Sequence, residues 1–464
     1  MTYDEASQYL KNAEQYGSVL GLGSMRMLLA GLGNPQDELK FVHIAGTNGK
    51  GSTAAFISNI LAAAGYRIGR YISPSVFGYF EKIQISESDK KNNEDSPVIT
   101  QYIKKEEIAE YIEKIRVVCE DMTGKGLSHP TVFEIETAMA MLHFVKRQCD
   151  ITVLEVGLGG RLDATNVITT TVCSVITSVS MDHMHILGNA LEQIAAEKAG
   201  IIKPGIPVVT YDQDVRAMQV IKEDAEFNKS TLTAADFSKI IIKNVSIEGT
   251  VFTYENREDL KIKLLGENQV KNAVVAVLAA EVMKSMGYSI SENHIRAGLL
   301  NARWNGRFEI LKEKPLFLLD GAHNEDAAIS LAQNIRQYFE GHRIIYIIGV
   351  LADKDYDAVL KHTAVLSERI YTITPRNIRG LDSGILAQAA KKYCTRVIDA
   401  GTVSNAVLQA YQTAGEEDVI IAFGSLSYLN EVYEELGEVS FHRVSVMNDP
   451  PYTVMPQKRQ HDGN

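Results

Sequence analysis

Apolar positions along this chain fall into short runs, separated by longer stretches in which they recur at helical spacing. That alternation predicts strands and helices in turn, the pattern of an α/β protein. Residues 1–35 read as two helices, joined at Gly21-Leu22-Gly23 and stopped at Gly33-Asn34-Pro35. Residues 41–45 form a short apolar strand and 51–64 a helix ending at Gly65, with further strands at 67–72 and 82–86. The segment 87–97 (ESDKKNNEDSP) is polar and of mixed charge, and reads as a mobile surface insertion. Helices follow at 104–120 and 131–148. The runs 151–156 and 172–177 are largely apolar, as strands buried on both faces of a parallel sheet should be. A helix at 190–200 and a strand at 207–210 continue the alternation. Between 239 and 265 three β-like runs succeed one another without a helix, which predicts a small antiparallel piece, and 270–286 is again helical. A second alternating block starts near Arg307, with strands at 316–319, 343–349, 368–374 and 418–423. The tail from His442 is polar and is expected to be poorly ordered at its end.

The expected fold is therefore α/β: a doubly wound, mostly parallel sheet with a small antiparallel β piece, followed by a Rossmann-like α/β unit. The boundaries read as 1–300 for the first unit, 301–440 for the second and 441–464 for the tail. The 464 residues suffice for more than one core, and a 45% hydrophobic content excludes wholesale disorder. The net charge of -11 argues against a nucleic-acid binder but leaves room for a local anion pocket. The four cysteines (Cys119, Cys149, Cys173, Cys394) are far apart and form no CxxC pair, which fits a reducing compartment. No apolar run approaches the roughly 18 residues of a membrane span, and the acidic start is unlike a signal peptide. A cytoplasmic protein without membrane or nucleic-acid partners is expected.

The sharpest chemical signal is Gly46-Thr47-Asn48-Gly49-Lys50-Gly51-Ser52-Thr53, between an apolar strand and a helix. Glycines let backbone N–H groups approach phosphate oxygens, the lysine adds charge, a hydroxyl can reach Mg²⁺, and the helix start contributes its dipole. The spacing is not the standard one: position 44 is Ile, and Gly51 intervenes between Lys50 and Ser52. Glu155 ends a buried strand, where doubly wound sheets bind ligands. The residues alone allow it two roles, a Mg²⁺ ligand or a strand-end carboxylate paired with Arg161. His183, past the strand 172–177, falls on the same sheet edge and is open to metal binding or to a structural role. Lys198, in the last turn of a helix ended by Gly200, reads by itself as a lysine favoured by the helix C-terminus. In the second block, Asp320 ends a strand in Leu319-Asp320-Gly321-Ala322-His323-Asn324, and Asn324 can cap the next helix.

Together these segments resemble the folylpolyglutamate synthase/dihydrofolate synthase family of the Mur ligase superfamily. The resemblance spans nearly the whole chain, from Gly21-Leu22-Gly23 through GTNGKGS, Tyr71-Ile72-Ser73-Pro74-Ser75, Thr131-Val132-Phe133-Glu134, EVGLGGRLDATN, Met181-Asp182-His183, Glu197-Lys198-Ala199-Gly200, Asn272-Ala273, Gly306-Arg307-Phe308 and LDGAHN. It implies a ligase that uses MgATP to phosphorylate a folate or pteroate carboxylate and then joins it to L-glutamate. By resemblance Asn48, Gly49, Lys50, Gly51, Ser52 and Thr53 hold the ATP phosphates, and Asn272, Arg307 and Asp320 contact ATP from the hinge and second unit. Ser52, Ser73, Glu155 and His183 would ligate one or two Mg²⁺ ions. Lys198 matches a lysine that the family carbamylates with CO₂, a modification that reverses its charge. His323 is expected near the glutamate or the phosphoryl group, which makes Lys50, Lys198 and His323 the catalytic candidates. Gly21, Leu22, Phe133, Leu162, Asp163 and Ala164 would line the site for the flat pterin.

One segment departs from the family pattern. After Ser73-Pro74 the chain reads SVFGYFEKI, where the family more often has His-Leu after the proline and Arg in place of Lys82. This leaves open the balance between dihydropteroate and reduced folates. A Mur-type ligase for another acid and a nucleotide-binding module without ligase activity are the competing readings. The folate-type EVGLGGRLDATN segment opposes the first, and the joint presence of Lys50, Glu155, His183 and Lys198 opposes the second. The chain is expected to act as a monomer.

Overall fold

In a computed structural model the chain is described over residues 1–17, 21–88 and 98–437. Of the polar segment 87–97 only Glu87 and Ser88 fall within that range, as the end of a strand, and the tail from His442 lies outside it.

The first half is built on an eight-stranded sheet. Its strands are β1 (Phe41–Ala45), β2 (Ile68–Tyr71), β3 (Ile83–Ser88), β4 (Val98–Tyr102), β5 (Ile151–Glu155), β6 (Thr171–Ile176), β7 (Val208–Thr210) and β8 (Leu232–Ala234), in the order β4-β3-β2-β5-β1-β6-β7-β8. From β2 to β8 the neighbours run parallel, while β3 and β4 are antiparallel additions at one edge. Every residue of β1 and β5 is buried, which is why these strands read as apolar runs. Alternation along the strands divides the core. Val42, Ile44 and Val153 pack with Phe56 and Val275 on one face, and Phe41, Tyr71 and Leu154 pack with Ile135 and Met139 on the other. The three β-like runs are strands β9 (Ile240–Ser246), β10 (Gly249–Tyr254) and β11 (Arg257–Ile262). They form a separate antiparallel sheet that adds Phe252, Tyr254 and Ile262 to the first core.

The second half carries a six-stranded sheet, β12 (Glu309–Glu313), β13 (Leu316–Leu319), β14 (Ile344–Ile348), β15 (Arg369–Ile373), β16 (Val397–Gly401) and β17 (Val419–Phe423). Its order is β12-β13-β17-β14-β15-β16, with β12 antiparallel and the rest parallel. Both of its faces are covered by helices, giving two further cores. Four strands (β4, β8, β12, β16) and the helices Val215–Phe227 and Glu292–Asn301 lie where the apolar pattern gave no signal. The C-terminal ends of β5, β1 and β6 in one sheet, and of β13, β17 and β14 in the other, deliver their loops to a single cleft, the place where parallel α/β sheets bind ligands. Among the described residues no helix is long and apolar enough to cross a membrane.

Candidate active site

The loop after β1 turns into the helix Lys50–Ala63 through two glycines in the left-handed region, Gly46 at φ +154° and Gly49 at φ +86°. Glycine is required for space as well as conformation. A Cβ on Gly46 would run into the Thr177 hydroxyl, and one on Gly49 into the Asn272 side-chain oxygen. The Lys50 ammonium folds back over the loop and donates to the Gly46 and Thr47 carbonyl oxygens at 2.9 and 3.2 Å. No side chain caps the start of this helix, so its first amides face the cleft without a side-chain acceptor. Burial pushes the Lys50 amine down, and Glu155 partly restores it.

Glu155 ends β5 with its carboxylate buried, and one oxygen, Oε2, has no hydrogen-bond partner. Burial raises this carboxyl to about 7, against the pull of Lys50, Arg307 and the Ser73 N–H. The pairing with Arg161 does not form. Arg161 turns outward to Glu197 at 3.7 Å and Asp224 at 3.5 Å, and donates to the Ala196 carbonyl. A buried carboxylate with an unfilled oxygen suits a hard cation that takes its remaining ligands from phosphate and water. Among the described residues no group of three or more His, Cys, Asp or Glu forms a complete metal cage, and Mg²⁺ bound through a nucleotide needs none.

His183 stands in the left-handed region at φ +48°, with its backbone N–H on Asp182 at 2.8 Å. Burial lowers its imidazole and Asp182 opposes the shift. Lys198 is 4% exposed, so it is not the solvated helix-end lysine of the simple reading. Burial, helped by the charge of Lys50, pushes its amine down to about 7. The result is a buried lysine only partly charged near neutrality, facing the same cavity as Lys50 and Glu155.

The second half supplies the opposite wall. Asp320 holds the backbone N–H of Phe308 (2.9 Å) and of Ala322 (2.8 Å), which fixes Arg307 and the loop carrying His323 relative to each other. The Arg307 guanidinium lies against Gly321. His323 Nδ1 donates to the Gly321 carbonyl at 2.7 Å, which leaves Nε2 as the acceptor, and burial drives the ring down to about 4. Asn272 receives the Thr53 hydroxyl at 3.3 Å and the Tyr211 hydroxyl, and donates to Gln269.

A cavity of about 760 Å³ thus gathers Asn48, Gly49, Lys50, Gly51, Ser52, Ser73, Glu155, His183, Lys198, Asn272, Arg307, Asp320 and His323. Thr53 lies just behind it. Gly21, Leu22, Phe133, Leu162, Asp163 and Ala164 do not line it. They cluster beside it: the Gly21 N–H donates to the Leu162 carbonyl, and the Phe133 ring packs against Gly157, which is in the cavity wall. Asp163 points into its own loop, accepting from the Leu158 and Thr165 N–H groups.

Sequence reasoning missed the contacts that join the two walls, and of their residues Lys354 and Asp326 altogether. Lys354 donates to Asp182 at 3.2 Å, with both side chains less than 15% exposed. Asn324, besides capping its helix through Ala327, reaches Asp182 at 3.2 Å, and Asn48 donates to Asp326 at 2.7 Å. Against the cost of burial, Lys354, His183 and His323 hold the Asp182 carboxyl down at about 2. Asp182 stood in a motif already singled out, but its partners lie more than 140 positions away.

Two family models match the chain: the Mur ligase middle domain over residues 44–280 and the Mur ligase glutamate ligase domain over residues 306–426. The chain is 34% identical to the dihydrofolate synthase/folylpolyglutamate synthase of Bacillus subtilis, over 94% of this chain and 99% of that one. Among solved structures, the folylpolyglutamate synthase of Thermotoga maritima superposes with a TM-score of 0.79 at 36% identity, covering 94% of this chain and 96% of that one. The Mycobacterium tuberculosis folylpolyglutamate synthase, solved with ADP and AMPPCP, gives a TM-score of 0.80 at 29% identity, covering 93% and 98%.

Proposed function

Because the chain belongs to the folylpolyglutamate synthase/dihydrofolate synthase family of Mur ligases, we propose that it is a cytoplasmic, monomeric, ATP-dependent ligase joining L-glutamate to a folate-type carboxylate. The observation that carries this reading is one cavity holding the Lys50 loop, the unfilled Glu155 oxygen and the buried Lys198, and closed by Arg307, Asp320 and His323 from the other sheet. Residues 1–300 would form the nucleotide-binding unit and 301–440 the glutamate-ligase unit.

ATP is bound with its phosphates on the amides of Asn48 to Thr53 and on Lys50, and with Asn272, Arg307 and Asp320 on the nucleotide side. Glu155, Ser52, Ser73 and His183 would hold Mg²⁺, which supplies charge neutralisation and polarisation of the γ-phosphoryl group. A substrate carboxylate oxygen attacks the γ-phosphorus, and ADP leaves. The glutamate nitrogen then attacks the acyl carbon, an amide forms, and inorganic phosphate departs with the former carboxylate oxygen. Lys50 and the helix-start amides stabilise the charge of the transferring group. His323, neutral and with Nε2 as acceptor, orients the incoming amine. The neutral Lys198 amine adds CO₂ with loss of a proton, and the resulting carbamate would contribute an anion for Mg²⁺. The Asp182–Lys354 clasp shuts water out of a hydrolysable acyl phosphate. The pterin end lies against Gly21, Leu22, Phe133, Leu162, Asp163 and Ala164.

The test offers MgATP and L-glutamate with dihydropteroate in one reaction and tetrahydrofolate in another, reading ADP release and product mass. ADP is expected only when acid and amino acid are both present, with one glutamyl mass added per turnover. Intact ATP binding without turnover of either acid would move the substrate to a different carboxylic acid.

A further inference from the structure

The chain has one tryptophan, Trp304, and it stands between three parts of the site without lining the cavity itself. Its indole packs directly on Gly51 of the phosphate loop, so closely that a Cβ at position 51 would enter the ring. The Arg70 guanidinium lies over the same ring, 5.7 Å from its centroid. Arg70 is 5% exposed, donates to Gln84, keeps Nη1 without a partner, and its charge reaches Glu155. Along the chain, Trp304 is followed by Asn305, whose amide donates to the buried Glu81 at 2.9 Å. Next come Gly306, at φ +67°, and Arg307 in the cavity wall.

We propose that Trp304 is a positioning residue: its indole wedges the Gly51 turn of the phosphate loop against Arg70 behind Glu155, and so sets the distance between that loop and Arg307 on the opposite wall. The physical reason lies in the unusual Gly51. Gly51 presents no side chain where the first helical turn meets Trp304, and the indole occupies that space. A flat ring packed on the Gly51 backbone and approached by a guanidinium transmits a shift of the loop to the segment 304–307, because close-packed groups do not compress. Truncating it leaves the loop free to move by an amount that matters for phosphate contacts.

This inference rests on the reading of the cavity as a nucleotide site, and the experiment separates the two. Trp304 emission is followed in the full-length protein as MgAMPPCP is added, with binding measured independently by calorimetry. The emission is expected to change in step with calorimetric saturation. Trp304→Ala is expected to raise the KM for MgATP about tenfold, the low end for removing a supporting group behind a site. KM for glutamate should stay within about twofold. Trp304→Phe, which keeps a ring on Gly51, is expected to recover most of the loss. A general folding defect would instead lower kcat and leave the Phe variant no better than Ala. Calorimetric binding with a silent indole, or a Trp304→Ala KM for MgATP within twofold of wild type, would overturn the wedge while leaving the nucleotide site standing. Absence of calorimetric binding would overturn the cavity reading and the wedge with it.

Discussion

The Asp182–Lys354 pair links the two walls of the cavity directly by charge. Asp182 falls from the usual 3.8 to about 2, although burial works the other way. At about 1.4 kcal/mol per unit, that drop is on the order of 2 kcal/mol, shared between Lys354 and the two histidines. Both partners are well shielded, so little is lost to solvent screening. Asp182→Asn is therefore expected to cost about 1–2 kcal/mol of closure, or roughly a five- to thirty-fold fall in kcat/KM. A depressed carboxyl contributes fully above its unfolded value near 3.8, and that contribution is lost only as pH falls through about 2. The effect of the substitution should thus be flat between pH 6 and 9. The assay is ADP release by the wild type, Asp182→Asn, Lys354→Met and the double variant, treated as a double-mutant cycle. A coupling energy below about 0.5 kcal/mol would refute the idea that this pair holds the walls together.

Further outcomes follow from the same geometry. Lys198→Ala should abolish turnover while leaving MgATP binding by calorimetry largely intact, and near-wild-type activity would remove Lys198 from the chemistry. Because burial brings the Lys198 amine down to about 7, it is charged below that pH and neutral above it, and only the neutral amine adds CO₂. Activity in CO₂-depleted buffer should be low and restored by bicarbonate, with more restoration at pH 8 than at pH 6. A rate indifferent to CO₂ would exclude the carbamate. Gly46→Ala forces a Cβ at φ +154° into the Thr177 hydroxyl, so MgATP affinity should drop at least about tenfold in a titration.

Much of this architecture was legible because its central strands are buried on both faces. β1, β5, β6, β14 and β17 appear in the sequence as largely apolar runs, and the antiparallel β9–β11 sheet announced itself by the lack of an intervening helix. The four strands that gave no signal, β4, β8, β12 and β16, are the four outer edges of the two large sheets. Val98–Tyr102 and Glu309–Glu313 are half-exposed along their length, so neither an apolar run nor a clean alternation marks them. The same logic holds at the site. Lys50, Glu155, His183 and Lys198 were visible because each follows a strand or sits in a compact motif. Arg161, equally close to Glu155 in sequence, invited a pairing that the fold turns away from the cavity. Asp182 with Lys354 joins the two halves, and Gly51 with Trp304 joins residues far apart in the chain, and local patterning carries no trace of such contacts.

The central chemical claim is that the terminal carboxylate of a folate-type acid is phosphorylated before the amide forms. The most direct measurement places ¹⁸O in that carboxylate, runs the reaction with MgATP and L-glutamate, and determines the mass of the inorganic phosphate released. The account predicts one ¹⁸O atom per phosphate, carried over when the acyl carbon exchanges oxygen for nitrogen. Unlabelled phosphate accompanying labelled amide product would contradict it.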